Sequence, residues 1–66
     1  MPIDELDLVA LTEDLPIEGL RKGDVGCVVL VHGQGRAYEV EFVAPGGDTL
    51  AIVTVPRAGL RPVRTE

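Results

Sequence analysis

The chain contains no tryptophan, one tyrosine and one phenylalanine. Proline-peptide recognition needs an aromatic-lined groove. The two rings present, Tyr38 and Phe42, fall on the inward pattern of one strand, so that function is disfavoured. Stacking of nucleic-acid bases on aromatic side chains is disfavoured for the same reason. A single cysteine, Cys27, excludes an internal disulfide. A single histidine, His32, together with Cys27 falls short of a structural zinc set. No cofactor and no metal is expected.

Basic residues are also few. Six Lys and Arg stand against eleven Asp and Glu, a formal charge of −5. Grip on a phosphate backbone needs a basic field, so nucleic acid is not the expected partner. Anionic membrane surfaces are disfavoured likewise. No run approaches the roughly 20 apolar residues of a membrane-spanning helix. Met1-Pro2-Ile3-Asp4-Glu5 lacks the basic and apolar regions of an export signal. With the lone cysteine, this sets the expectation of a reducing cytoplasm.

What is present is a β-rich pattern on a chain of 66 residues, 45% of them apolar. One domain over residues 1–66 is expected. A chain this short has a small core and marginal stability. The stretch Gly23-Asp24-Val25-Gly26-Cys27-Val28-Val29-Leu30-Val31 is a turn feeding a central strand. Its two faces, Val25, Cys27, Val29 and Val31 against Val28 and Leu30, are both apolar. Residues 36–43 alternate most cleanly: Tyr38, Val40 and Phe42 inward, Glu39 and Glu41 outward. Residues 49–55 are rich in β-branched side chains, and 60–63 form a brief last strand. Leu6 to Leu11 reads as a first strand, with a helix or helical turn as the competing reading; Pro16 ends either. Between these lie a polar loop, Thr12 to Asp24, anchored through Leu15, Ile17 and Leu20, and glycine-rich turns at 33–35 and 45–48. Pro45-Gly46 suits a type II turn. Pro56 to Gly59 suits one turn of 3₁₀ helix.

Strand, long loop, strand, hairpin, strand, hairpin, strand, short turn, short strand is the order of an SH3-like barrel. The fold expected is therefore all-β, a small SH3-like barrel of about five mostly antiparallel strands. The oligonucleotide-binding barrel is the near alternative.

Asp7-Leu8-Val9-Ala10-Leu11-Thr12-Glu13-Asp14-Leu15-Pro16, with Gly19-Leu20 and Lys22-Gly23-Asp24-Val25-Gly26, resembles the opening of a small bacterial family catalogued only as a domain of unknown function. Ala37-Tyr38-Glu39-Val40-Glu41-Phe42, Val55-Pro56 and Leu60-Arg61-Pro62-Val63 extend the resemblance over nearly the whole chain. It implies a small stand-alone β-domain and carries over no activity. The Lys22 to Gly26 turn also resembles that of KOW-type barrels, which bind RNA through basic loops.

No residues gather for catalysis. Cys27 and His32 lie five apart on opposite parities of a strand, which keeps nucleophile and base apart. Glu39 and Glu41 share a face about 7 Å apart, but a convex strand offers no cleft to split their pKa values. Glu13, Asp14, Glu18 and Asp24 concentrate negative charge on the long loop, while Arg36, Arg57, Arg61 and Arg64 form a smaller positive set. The candidate partner surface is Glu13, Asp14, Glu18, Asp24, Glu39 and Glu41. The expected function is a non-catalytic protein-binding or accessory module, the small partner of a larger protein. A KOW-like nucleic-acid-binding barrel and a self-associating structural protein are the alternatives. The excess apolar face makes a weak homodimer a further expectation.

Overall fold

The structure, a computed structural model, describes residues 3–63. Its strands are β1 (Leu8–Leu11), β2 (Val25–His32), β3 (Ala37–Val43), β4 (Thr49–Pro56) and β5 (Leu60–Pro62). They form one sheet in the order β4-β3-β2-β1-β5, every pairing antiparallel. Residues 6 and 7 lie outside β1. Asp7 donates from its N–H to the Asp4 carbonyl at 3.2 Å, and its carboxylate accepts from the Asp4 N–H at 2.8 Å. This turn holds Leu6 at φ 72°, which no strand accommodates.

The expected SH3-like barrel does not form: the sheet is open. β4 pairs with β3 alone and β5 with β1 alone, and no ladder joins β4 to β5 among the described residues. The reason lies in β5. It has three residues, one edge is taken by β1, and Pro62 has no N–H to give. A closing ladder would gain little. The long loop instead covers the inner flank of the sheet. Leu15 and Leu20 pair across it as an isolated bridge; Leu20 is buried, and Leu15 packs against the core. Ile17, expected as a third anchor, is instead 96% exposed. It sits in the 3₁₀ turn Pro16–Glu18, which points away from the core.

The inner face of the sheet makes the core. Val9, Leu11, Val28 and Val40 are fully buried, joined by Tyr38, Phe42, Val55 and Leu60 from the strands and by Ile3 and Leu20 from outside them. The alternation read for β3 holds, with Tyr38, Val40 and Phe42 buried and Glu39 and Glu41 half-buried on the other face.

Three local details differ from the sequence reading. β2 carries a bulge between Val28 and Leu30, so Val31 faces Tyr38 and turns inward with Val28. His32 thereby joins Cys27 on the outer face, against the opposite parity expected. In the β3–β4 turn, Gly47 donates to the Ala44 carbonyl at 2.8 Å, and the positive φ of 94° falls on Gly47 rather than Gly46. That excludes the type II turn, which needs positive φ at Gly46. A second register shift, between Phe42 and Val43, follows from it. The 3₁₀ turn expected after β4 is present at Arg57–Gly59.

Candidate functional site

The outer face of the sheet is built by strand register. Leu8 faces Cys27, Cys27 faces Glu41, and Glu41 faces Ile52, a row across four strands. At about 4.8 Å between strands this row spans roughly 14 Å. A second row runs Leu30, Glu39 and Thr54. A third runs His32, Ala37 and Pro56. Val25 and Val43 extend the apolar area toward the other end of β2 and β3. Leu8, Val25, Leu30, Val43 and Ile52 are between 41% and 56% exposed. They are large side chains left in water on one face, the property that distinguishes a contact surface from scattered exposure.

Two carboxylates sit inside this apolar area, and each is oriented by a neighbour. Glu39 Oε2 lies 3.1 Å from His32 Nε2. Glu41 Oε2 accepts from Thr49 Oγ1 at 2.8 Å. The β2 bulge makes the first contact, since an unbulged strand would point His32 inward. The face is open, so neither carboxylate lies in a pocket where it can trade protons with the other. Cys27 and His32 share the face, but their facing residues Glu41 and Ala37 are four apart along β3, about 13 Å. No nucleophile–base contact forms. Among the described residues no three His, Cys, Asp or Glu side chains gather as a metal site.

The acidic loop serves a different purpose at half of its positions. Asp14 Oδ1 accepts from the Lys22 N–H at 2.8 Å, and Asp24 Oδ2 accepts from the Arg21 N–H at 2.9 Å. Both carboxylates tie the loop to itself, as Asp commonly does beside glycine turns. Asp24→Ala is expected to cost about 1 kcal/mol by thermal or urea unfolding, the usual value of such a bond; a neutral result would deny the carboxylate this role. Glu13 and Glu18 are exposed. Glu13 borders a hollow of about 150 Å³ with Leu15 and Val55; Glu18 borders one of about 280 Å³ with Ile17 and Val53. The six acidic residues singled out in the sequence thus divide: Glu39 and Glu41 lie on the outer face, Glu13 and Glu18 on the loop flank, and Asp14 and Asp24 brace the loop.

The arginines spread as well. Arg36 and Arg57 are backbone neighbours, Arg57 N–H donating to the Arg36 carbonyl at 3.0 Å, and the Arg57 side chain donates to the Leu60 carbonyl at 2.9 Å. Arg61 faces Ala10 on β5. Arg64 lies outside the described residues. The apolar members of the site, Leu8, Val25, Leu30, Val43 and Ile52, stand outside the acidic partner surface read from the sequence. Their signal was the strand with two apolar faces, one of which a single-layer sheet must leave outside.

Residues 5–62 match a family model described as Domain of unknown function (DUF4926). The chain belongs to the DUF4926 family. The match runs through all five strands, so the sheet and its outer face lie within the family domain. The sequence resemblance was to a family with an SH3-like barrel, and that is corrected: the family domain here is an open five-stranded antiparallel sheet. No curated protein and no solved structure matches the chain.

Proposed function

We propose that this DUF4926 protein is a non-catalytic protein-binding module, the small partner of a larger protein, which docks on the outer face of the sheet. The observation that carries the reading is the row Leu8, Cys27, Glu41 and Ile52, flanked by exposed Val25, Leu30 and Val43. Apolar side chains at the centre of a contact supply most of its energy, and charges embedded in them set orientation and partner choice. Glu39 and Glu41 occupy that embedded position on a chain of charge −5. The matching partner surface is apolar with basic side chains placed to meet the two glutamates.

The test is capture of the partner from the native cell with the wild-type chain, followed by titration of that partner against variants. Leu8→Gln with Ile52→Gln should weaken binding at least about tenfold, as loss of central contacts does. Ile17→Gln, at an exposed position on the loop, should bind as wild type. A captured protein whose affinity ignores the Leu8 and Ile52 changes would end the outer-face reading.

A further inference from the structure

β4 is an edge strand whose middle, residues 51–55, is left without the usual protection. It runs eight residues, Thr49-Leu50-Ala51-Ile52-Val53-Thr54-Val55-Pro56, and none is charged. Its only ladder is with β3, and among the described residues no other backbone hydrogen bond reaches it. Natural edges are commonly blunted by lysine, by bulges or by shortness. The devices here stand at its two ends, an extra residue at Leu50 where the register with β3 shifts and Pro56 at the last position; residues 51–55 between them carry none.

The free groups on this edge can be assigned. Arg57 donates to the Arg36 carbonyl, so 36 and 57 form a hydrogen-bonded pair. Alternation along the ladder then gives Tyr38–Val55 and Val40–Val53 as hydrogen-bonded pairs and Glu39–Thr54 and Glu41–Ile52 as the intervening ones. Pro56, which has no N–H, falls correctly on an intervening position. The N–H and C=O groups of Ile52 and Thr54 therefore point away from β3, toward the open edge.

We propose that β4 pairs antiparallel with β4 of a second copy of this chain, about a two-fold axis at Val53, so that one sheet runs through both copies. In this register Ile52 of each copy faces Thr54 of the other, and the free N–H and C=O groups of those residues bond reciprocally. The edge is complementary to itself in charge. Asp48 precedes β4 and Arg57 follows it, so an antiparallel copy brings each acidic end to a basic end, whereas a parallel one sets like against like. Two chains of charge −5 repel elsewhere; β4 brings no charged side chain of its own to the contact. Beside the axis, Val53 lines the hollow of about 280 Å³ with Leu15, Pro16, Ile17 and Glu18. The second copy covers this hollow and the exposed Ile17. A single strand pair with one hollow is a small contact, under about 1,200 Å² in total, so the dimer dissociates on dilution. This inference uses the edge of the sheet and stands independently of the outer-face reading.

Sedimentation from about 1 to 500 μM, a range over which mass action fills a weak dimer, should show a shift from the 7.0 kDa chain to twice that mass. Thr54→Pro removes an edge N–H that β3 does not use, and proline is tolerated on edges; this variant should remain at 7.0 kDa throughout. Amide exchange in the wild type reads the same edge without mutation. The Ile52 and Thr54 amides should slow at least about tenfold at high concentration, while Val53 and Val55, held by β3, serve as the reference. A wild-type chain at 7.0 kDa over the whole range, or edge amides whose exchange ignores concentration, overturns the proposal. A dimer that survives Thr54→Pro and dissociates on Leu8→Gln belongs to the outer face and also overturns it.

Discussion

Phe42→Ala is expected to destabilise the protein by about 3 kcal/mol, the low end of the usual range for emptying a buried aromatic site. Phe42 is 2% exposed on the inner face of β3, within the buried cluster. The low end applies because Phe42 already borders a hollow of about 270 Å³, shared with Leu20, Val25 and Leu50. Truncation would enlarge an open space that water can enter rather than seal a void. Small domains hold only about 0.05–0.15 kcal/mol per residue. For 66 residues that is about 3–10 kcal/mol, so the loss takes from a third to nearly all of the stability of this chain. Urea titration should show a lower midpoint at unchanged slope, or no folded baseline at all. Glu41→Ala, one residue away on the outer face, removes one hydrogen bond from Thr49 and empties no core site, and should cost about 1 kcal/mol or less. A loss below 1 kcal/mol at Phe42, about the average for any substitution, would mean that the inward face of β3 has been assigned wrongly.

Gly26→Ala is the second large effect, and its sign is the informative part. Replacing glycine by alanine at a compatible backbone position usually stabilises by about 0.4–1 kcal/mol. Gly26 has no positive φ, so its backbone permits alanine. The space does not. An added Cβ would stand 2.6 Å from Val40 Cγ1, 2.9 Å from the Glu41 carbonyl oxygen and 2.9 Å from Phe42 Cδ1. The carbonyl belongs to the β3 ladder and has no rotamer to adopt. β2 must then move away from β3, at a cost of about 1–3 kcal/mol. Gly46→Ala is the matched control: nothing lies within 4 Å of its added Cβ, and its φ is not positive. It should be neutral or stabilising by up to about 1 kcal/mol. If Gly26→Ala behaves like Gly46→Ala, β2 and β3 do not approach as closely as the structure places them.

The outer face was only half legible before the tertiary structure. Apolar residues on both sides of β2 announced a surplus that a small sheet leaves outside, and Glu39 and Glu41 were placed on that side by simple alternation. Their environment was not legible. His32 reaches Glu39 because of one extra residue near Val29, and a run of Val, Val, Leu and Val carries no glycine or proline to mark where the strand bulges. The acidic loop misled in another way. Charge density along a sequence does not distinguish a carboxylate in water from one bonded to a nearby N–H, and Asp14 and Asp24 are of the second kind.

The sequence by itself determined β2 to β5, each to within one residue, and the buried face of β3; Leu6 to Leu11 it left between strand and helix. Those follow from local physics: period-two alternation, β-branched side chains, and glycines and prolines that interrupt the ladder. The tertiary structure alone decided that the sheet stays open, that Ile17 stands out in solvent while Leu20 is buried, and that β4 keeps a bare edge. Alternation records which face of a strand is covered. It does not record which strand, if any, takes the hydrogen bonds along each edge, because backbone N–H and C=O groups are the same at every residue except proline.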